Sequence, residues 1–117
     1  MENLSLAKEI AVAMQKNEAP SPEIVAALRK SHERSAVIPD KKGRGWLFSD
    51  RERGELWHLE VDGEACTAYD SLDWDRFLAV ERMMRKGSDP VMASLTASLI
   101  GNDDLRKKAQ QMIPASR

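Results

Sequence analysis

Residues 46–69 read as three strands that place all their apolar side chains on one side. That agreement constrains the fold more than anything else in the chain. Asp62-Gly63 lies between two runs rich in apolar, β-branched and aromatic residues, 56–61 and 64–69. The pair suits both central positions of a type I′ hairpin turn, each of which needs positive φ. Side chains alternate with period two along a strand, so Trp57, Leu59, Val61, Cys66 and Ala68 share a face. Leu56, His58, Glu60, Ala65, Thr67 and Tyr69 take the other. Reading residues 51–54 as a four-residue loop ending in Gly54 sets Phe48 opposite Trp57 and Trp46 opposite Leu59. Two independent turns therefore select the same apolar surface. A slip by one residue would turn both aromatics to water, at roughly 1.5–3 kcal/mol for each.

Helical spacing accounts for the rest. Leu6, Ile10, Ala13 and Met14 predict a helix over 5–16, and Ser21-Pro22 opens a second that runs to about residue 33, with Ile24, Val25, Ala27 and Leu28 as its apolar side. Residues 36–38 form a short strand or an extended entry, stopped by Pro39. Ser71 or Asp73 is expected to cap a third helix over 73–86, built on Trp74, Phe77, Leu78 and Val80 and closed by Gly87. Asp89-Pro90 opens a fourth over 90–100, whose apolar side is Val91, Met92, Leu95, Leu99 and Ile100. Asn102-Asp103 caps a fifth over 103–113.

The order ααβββααα is that of an α+β fold: a three-stranded antiparallel meander packed on one face by about five helices. At 117 residues the expectation is a single domain over 1–117. Within it, 1–35 is a helical hairpin, 45–70 the meander and 71–113 the three helices.

Hydrophobic residues make up 42% of the chain and charged residues 32%, the balance of a globular rather than a disordered sequence. One cysteine excludes an intramolecular disulfide. With no signal peptide and no long apolar run, a cytoplasmic location without membrane contact is the expectation. A net charge of −1 is not that of a chain built to coat nucleic acid. The charge is nonetheless uneven. Glu55, Glu60, Asp62, Glu64, Asp70, Asp73 and Asp75 fall in a stretch without Lys or Arg, and a basic stretch precedes it.

No catalytic or cofactor motif stands out, and the chain reads as a non-enzyme that needs no cofactor. The register puts Cys66 and His58 on opposite faces, so they form neither a dyad nor a metal site; Cys66 reads as a small core residue. His32 sits on a polar helix end. Residues 41–46 lack the glycine spacing of a dinucleotide or P-loop. Ala97 and Gly101 have a helix-turn-helix spacing, but Lys107 stands where that motif needs an apolar residue.

What remains is binding. The first reading is a small cytosolic inhibitor, adaptor or regulator of a protein with a basic surface. It would use the outer sheet face and acidic block through Leu56, His58, Glu60, Tyr69, Asp70 and Asp73. The alternative is a nucleic-acid-binding or regulatory protein using Lys41, Lys42, Arg44, Arg51 and Arg53.

Overall fold

The expected register between the first two predicted strands is present. The computed structural model describes residues 3–31, 35–42 and 44–114, and it pairs Trp46 with Leu59 and Phe48 with Trp57. The strands are β2 (Trp46–Asp50), β3 (Glu55–Asp62) and β4 (Ala65–Asp70), and a further strand, β1 (Ala36–Pro39), precedes them. The sheet therefore has four antiparallel strands in the order β1-β2-β3-β4, not three. The added strand is the segment before Pro39. It pairs along β2, Val37 with Phe48, and ends where proline, lacking an N–H, sits at the sheet edge.

The chain holds two compact units, 1–69 and 70–117. In the first, α1 (Asn3–Gln15) packs on the sheet, and α2 (Pro22–Ser31) packs on α1. Leu6, Ala7, Ile10 and Ala11 of α1 meet Phe48 and Leu59, with Leu28 of α2 completing the buried core. Trp46, Trp57, Val61, Cys66 and Ala68 pack against it from the face the alternation assigned to them. Trp46 and Trp57 are half-buried rather than enclosed. The Trp46 indole Nε1–H reaches the end of α1 and donates to Gln15 Oε1 at 3.0 Å.

The turns differ in detail from the expectation. β3 runs through Asp62, so the β3–β4 connection is Gly63 and Glu64, with φ +61° at Gly63 and no positive φ at Asp62. Glycine at the first central position is the signature of a type II′ turn. The faces are unaffected. Gly54, at φ +66°, closes the β2–β3 loop as expected.

The second unit holds α3 (Ser71–Arg85), α4 (Pro90–Ser98) and α5 (Asp103–Gln111). Trp74, Phe77, Val80, Ala93, Ala97, Ile100, Leu105 and Ala109 are buried here. Trp74 and Phe77, three residues apart, stack with ring centroids 5.2 Å apart. Asp70, rather than Ser71 or Asp73, caps α3 and accepts from Leu72 N–H at 2.9 Å. Asp73 instead accepts from the N–H groups of Gly101 and Asn102 at 3.0 and 3.1 Å, tying the start of α3 to the α4–α5 turn. Asp89 and Asn102 cap α4 and α5 as the sequence suggests.

Candidate functional site

On the outer face of the sheet, His58 is where the expectation and the structure part most sharply. Its side chain is 0% exposed. Asp40 and Gly45, at the two ends of the β1–β2 connection, close over it. Asp40 N–H donates to the Gly45 carbonyl at 3.0 Å, and Asp40 Oδ1 accepts from Lys42 N–H at 3.0 Å. Asp40 Oδ2 then lies 2.7 Å from His58 Nδ1, and Glu60 Oε1 lies 2.9 Å from Nε2. Gly45 fits this approach for a steric reason. At φ +90°, a Cβ there would stand 2.4 Å from the Leu59 carbonyl oxygen and 3.1 Å from the imidazole Cε1.

Arg44 Nε stands 3.4 Å from Glu60 Oε1. Only the doubly protonated imidazole donates to both carboxylates, and in that form the two cations balance the two anions. Each ring nitrogen faces a carboxylate and the ring is enclosed, so this constellation presents no imidazole atom to a substrate. Its geometry is that of a clasp holding the basic loop on the sheet. Among the described residues, no group of three or more His, Cys, Asp or Glu is arranged to hold a metal ion. No helix there is long and apolar enough to cross a membrane.

The residues expected to meet a protein partner are scattered among other tasks. Tyr69, read as an exposed anchor, is buried. His58 and Glu60 belong to the clasp. Asp70 caps α3, and Asp73 anchors the α4–α5 turn. Leu56 is exposed as expected.

The basic residues of the alternative do not converge either. Lys41, Lys42 and Arg44 are exposed on the clasped loop at one end of β2. Arg51 and Arg53 are exposed in the loop at its other end. That loop is held by its backbone, with Arg51 N–H donating to the buried Ser35 Oγ at 3.1 Å and Arg53 N–H to the buried Asp50 at 3.2 Å. His32 lies outside the described residues, as does Gly43.

Cys66 is half-buried rather than enclosed, beside Lys8, Val12 and Ala13 in an open groove along α1. Burial pushes its thiol above the ordinary value, Lys8 pulls it back, and Glu60 adds to the rise.

The feature the sequence pattern pointed the wrong way on is α4. Val91, Met92, Leu95 and Leu99, read as its inward side, are 54–63% exposed. The buried residues are Ala93, Ala97 and Ile100. No charged residue lies within Pro90–Ser98, and the helix is apolar nearly all round. Such a helix is normally covered on every side. Here the small alanines face the unit's own core, and the large side chains face out. Val91, Ser94, Leu95 and Ser98 form one wall of an open groove, with Gln110 and Ile113 opposite. Leu72, also more than half exposed, lies one helical turn before Arg76, whose Nη1 donates to the Leu99 carbonyl at 2.9 Å.

No family model matches this chain, nor does any curated protein or solved structure.

Proposed function

We propose that this chain is a non-enzymatic protein-binding module, of the kind that serves as an inhibitor, adaptor or regulator, and that it meets its partner through the uncovered face of α4. The observation that carries this reading is the outward set Val91, Met92, Leu95 and Leu99 on a helix without charge. Soluble monomers seldom leave contiguous apolar patches of more than a few hundred Å² in water, and patches of that kind mark interaction sites. The acidic block is a weaker candidate, because Glu60, Asp70 and Asp73 hold the molecule's own loops and helix ends.

A second reading has an observation of its own. The clasp of Asp40, His58 and Glu60 holds Lys41, Lys42 and Arg44 on a fixed loop, and a preorganised basic loop suits a polyanion such as nucleic acid.

Affinity capture with the tagged chain, with and without nuclease, separates the two. The first reading expects nuclease-resistant protein partners, an untagged copy included, that are lost with Leu95→Glu and kept with the double substitution Lys41→Glu and Arg44→Glu. Loss on nuclease treatment, or with the loop variant alone, contradicts it.

A further inference from the structure

We infer that His58 is a proton-controlled latch: when its ring gives up one of two protons, Nδ1 keeps its hydrogen bond to Asp40 and Nε2 lets go of Glu60. This goes beyond both readings of the partner and rests on neither. The chemistry of the ring forces a choice. A doubly protonated imidazole donates from both nitrogens, whereas a neutral one has a single N–H and one bare nitrogen. Here each nitrogen faces a carboxylate oxygen, Asp40 Oδ2 at 2.7 Å and Glu60 Oε1 at 2.9 Å. A bare nitrogen set against a carboxylate brings two acceptors together with no proton between them. One of the two contacts must then open.

The surroundings decide which. The Asp40 side chain is 7% exposed and that of Glu60 26%. Asp40 is also fixed from other sides. Its Oδ1 accepts from Lys42 N–H, and its own N–H donates to the Gly45 carbonyl, both at 3.0 Å. Taking the ring proton away from that carboxylate would leave an enclosed charge without its partner, which is costly.

Glu60 has an easier exit. It stands two residues after His58 on β3, so the two side chains share the outer face. Arg44 Nε is 3.4 Å from Glu60 Oε1, and the Arg44 side chain is 64% exposed. The Glu60 carboxylate can turn outward, keep that cation beside it and regain water. The neutral ring therefore holds its proton on Nδ1.

The latch alters the surface as well as the bond. Charge reaches the ring from Asp40 after β1, from Glu60 on β3 and from Arg44 through Glu60, while β2 opposes it with uncharged Leu47. Closed, His58 and Arg44 set two positive charges against the two negative charges of Asp40 and Glu60. Open, one positive charge faces two negative ones. The surface around Glu60 gains a negative charge as acidity falls, and the carboxylate moves toward solvent with it.

The test is an NMR titration of the ring nitrogens of the whole chain from about pH 5 to about pH 9, a range that brackets the ordinary titration of imidazole. The chain has two histidines, so comparison with His32→Gln assigns the His58 signals. At the acid end both ring nitrogens are expected to carry protons. At the alkaline end Nδ1 should keep its proton and Nε2 should be bare. The nuclear Overhauser contact between the Glu60 methylenes and the His58 ring should weaken with the same midpoint, while the hydrogen-exchange protection of the Asp40 amide stays constant through it. In Asp40→Asn, Nδ1 no longer faces an anion, and the proton of the neutral ring should move to Nε2, opposite Glu60.

A wild-type ring that keeps one protonation state across the whole range overturns the inference. So does a neutral ring with its proton on Nε2, or a Glu60 contact that is unchanged through the midpoint. An Asp40→Asn variant whose neutral ring still holds its proton on Nδ1 contradicts it as well, because Asp40 would then not be what sets the tautomer.

Discussion

Leu59 and Leu95 carry the same side chain and meet opposite fates. Leu59 is fully enclosed between the sheet and α1, whereas Leu95 is more than half exposed on α4. The polar residues run the other way. The sheet unit takes a histidine inside and satisfies both its nitrogens, while the helical unit leaves its largest α4 side chains in water. The contrast separates two kinds of surface. The first unit has resolved its interior, down to the loop that covers His58. The second has an interior lined by Ala93, Ala97 and Ala109 and an outer side still suited to burial.

The sharpest way to break this contrast is to cut into the sheet core. Phe48 is fully buried, so Phe48→Ala should cost about 3–5 kcal/mol in urea melts. A loss below about 1 kcal/mol would mean that the sheet unit is no better closed than α4.

Next comes the clasp. His58→Leu removes the partner of two carboxylates, and the Asp40 side chain is only 7% exposed, so a loss of about 3 kcal/mol is expected. A near-neutral result by the same melts would show that the histidine is only incidentally covered. Gly45→Ala should cost about 2 kcal/mol from backbone strain alone. It should also speed amide hydrogen exchange at Asp40, because a backbone oxygen at 2.4 Å cannot yield without moving the loop. Unchanged exchange at that amide would contradict the steric account. A smaller effect is expected at Asp70, where loss of the α3 cap in Asp70→Ala should lower stability by about 1 kcal/mol. A thermal melt indistinguishable from wild type would argue against that cap.

The comparison also shows what a sequence can and cannot convey here. The inner sheet face was legible because period two and two glycine-containing turns have to agree, and Trp46, Phe48, Trp57 and Leu59 satisfy both at once. β1 was not, because four residues ending in proline offer too little alternation to tell a strand from an extended entry. The burial of His58 depends on a loop folding back. Its trace in the sequence is faint: an outward histidine two residues before Glu60, with Asp40 and Gly45 bracketing the loop before β2.

In α4 the pattern misleads for a physical reason. Periodicity weighs large apolar residues as the core side, yet in a helix whose polar residues are Ser94, Thr96 and Ser98 alone the pattern carries little phase. Ala93 and Ala97 pack inward because small side chains let α4 approach its neighbours closely. Of the expected site, only Leu56 stands exposed with no task among the hydrogen bonds that occupy Glu60, Asp70 and Asp73.

If the outer side of α4 serves a partner, as proposed, it is dispensable for folding. The most direct measurement compares urea unfolding of Leu95→Glu with that of Leu105→Glu at low protein concentration. Leu105 is buried in the helical unit, so a charge there should collapse stability by several kcal/mol. Leu95→Glu should unfold within about 0.5 kcal/mol of wild type. If Leu95→Glu instead unfolds as readily as Leu105→Glu, the outer side of α4 belongs to the core and the account is wrong.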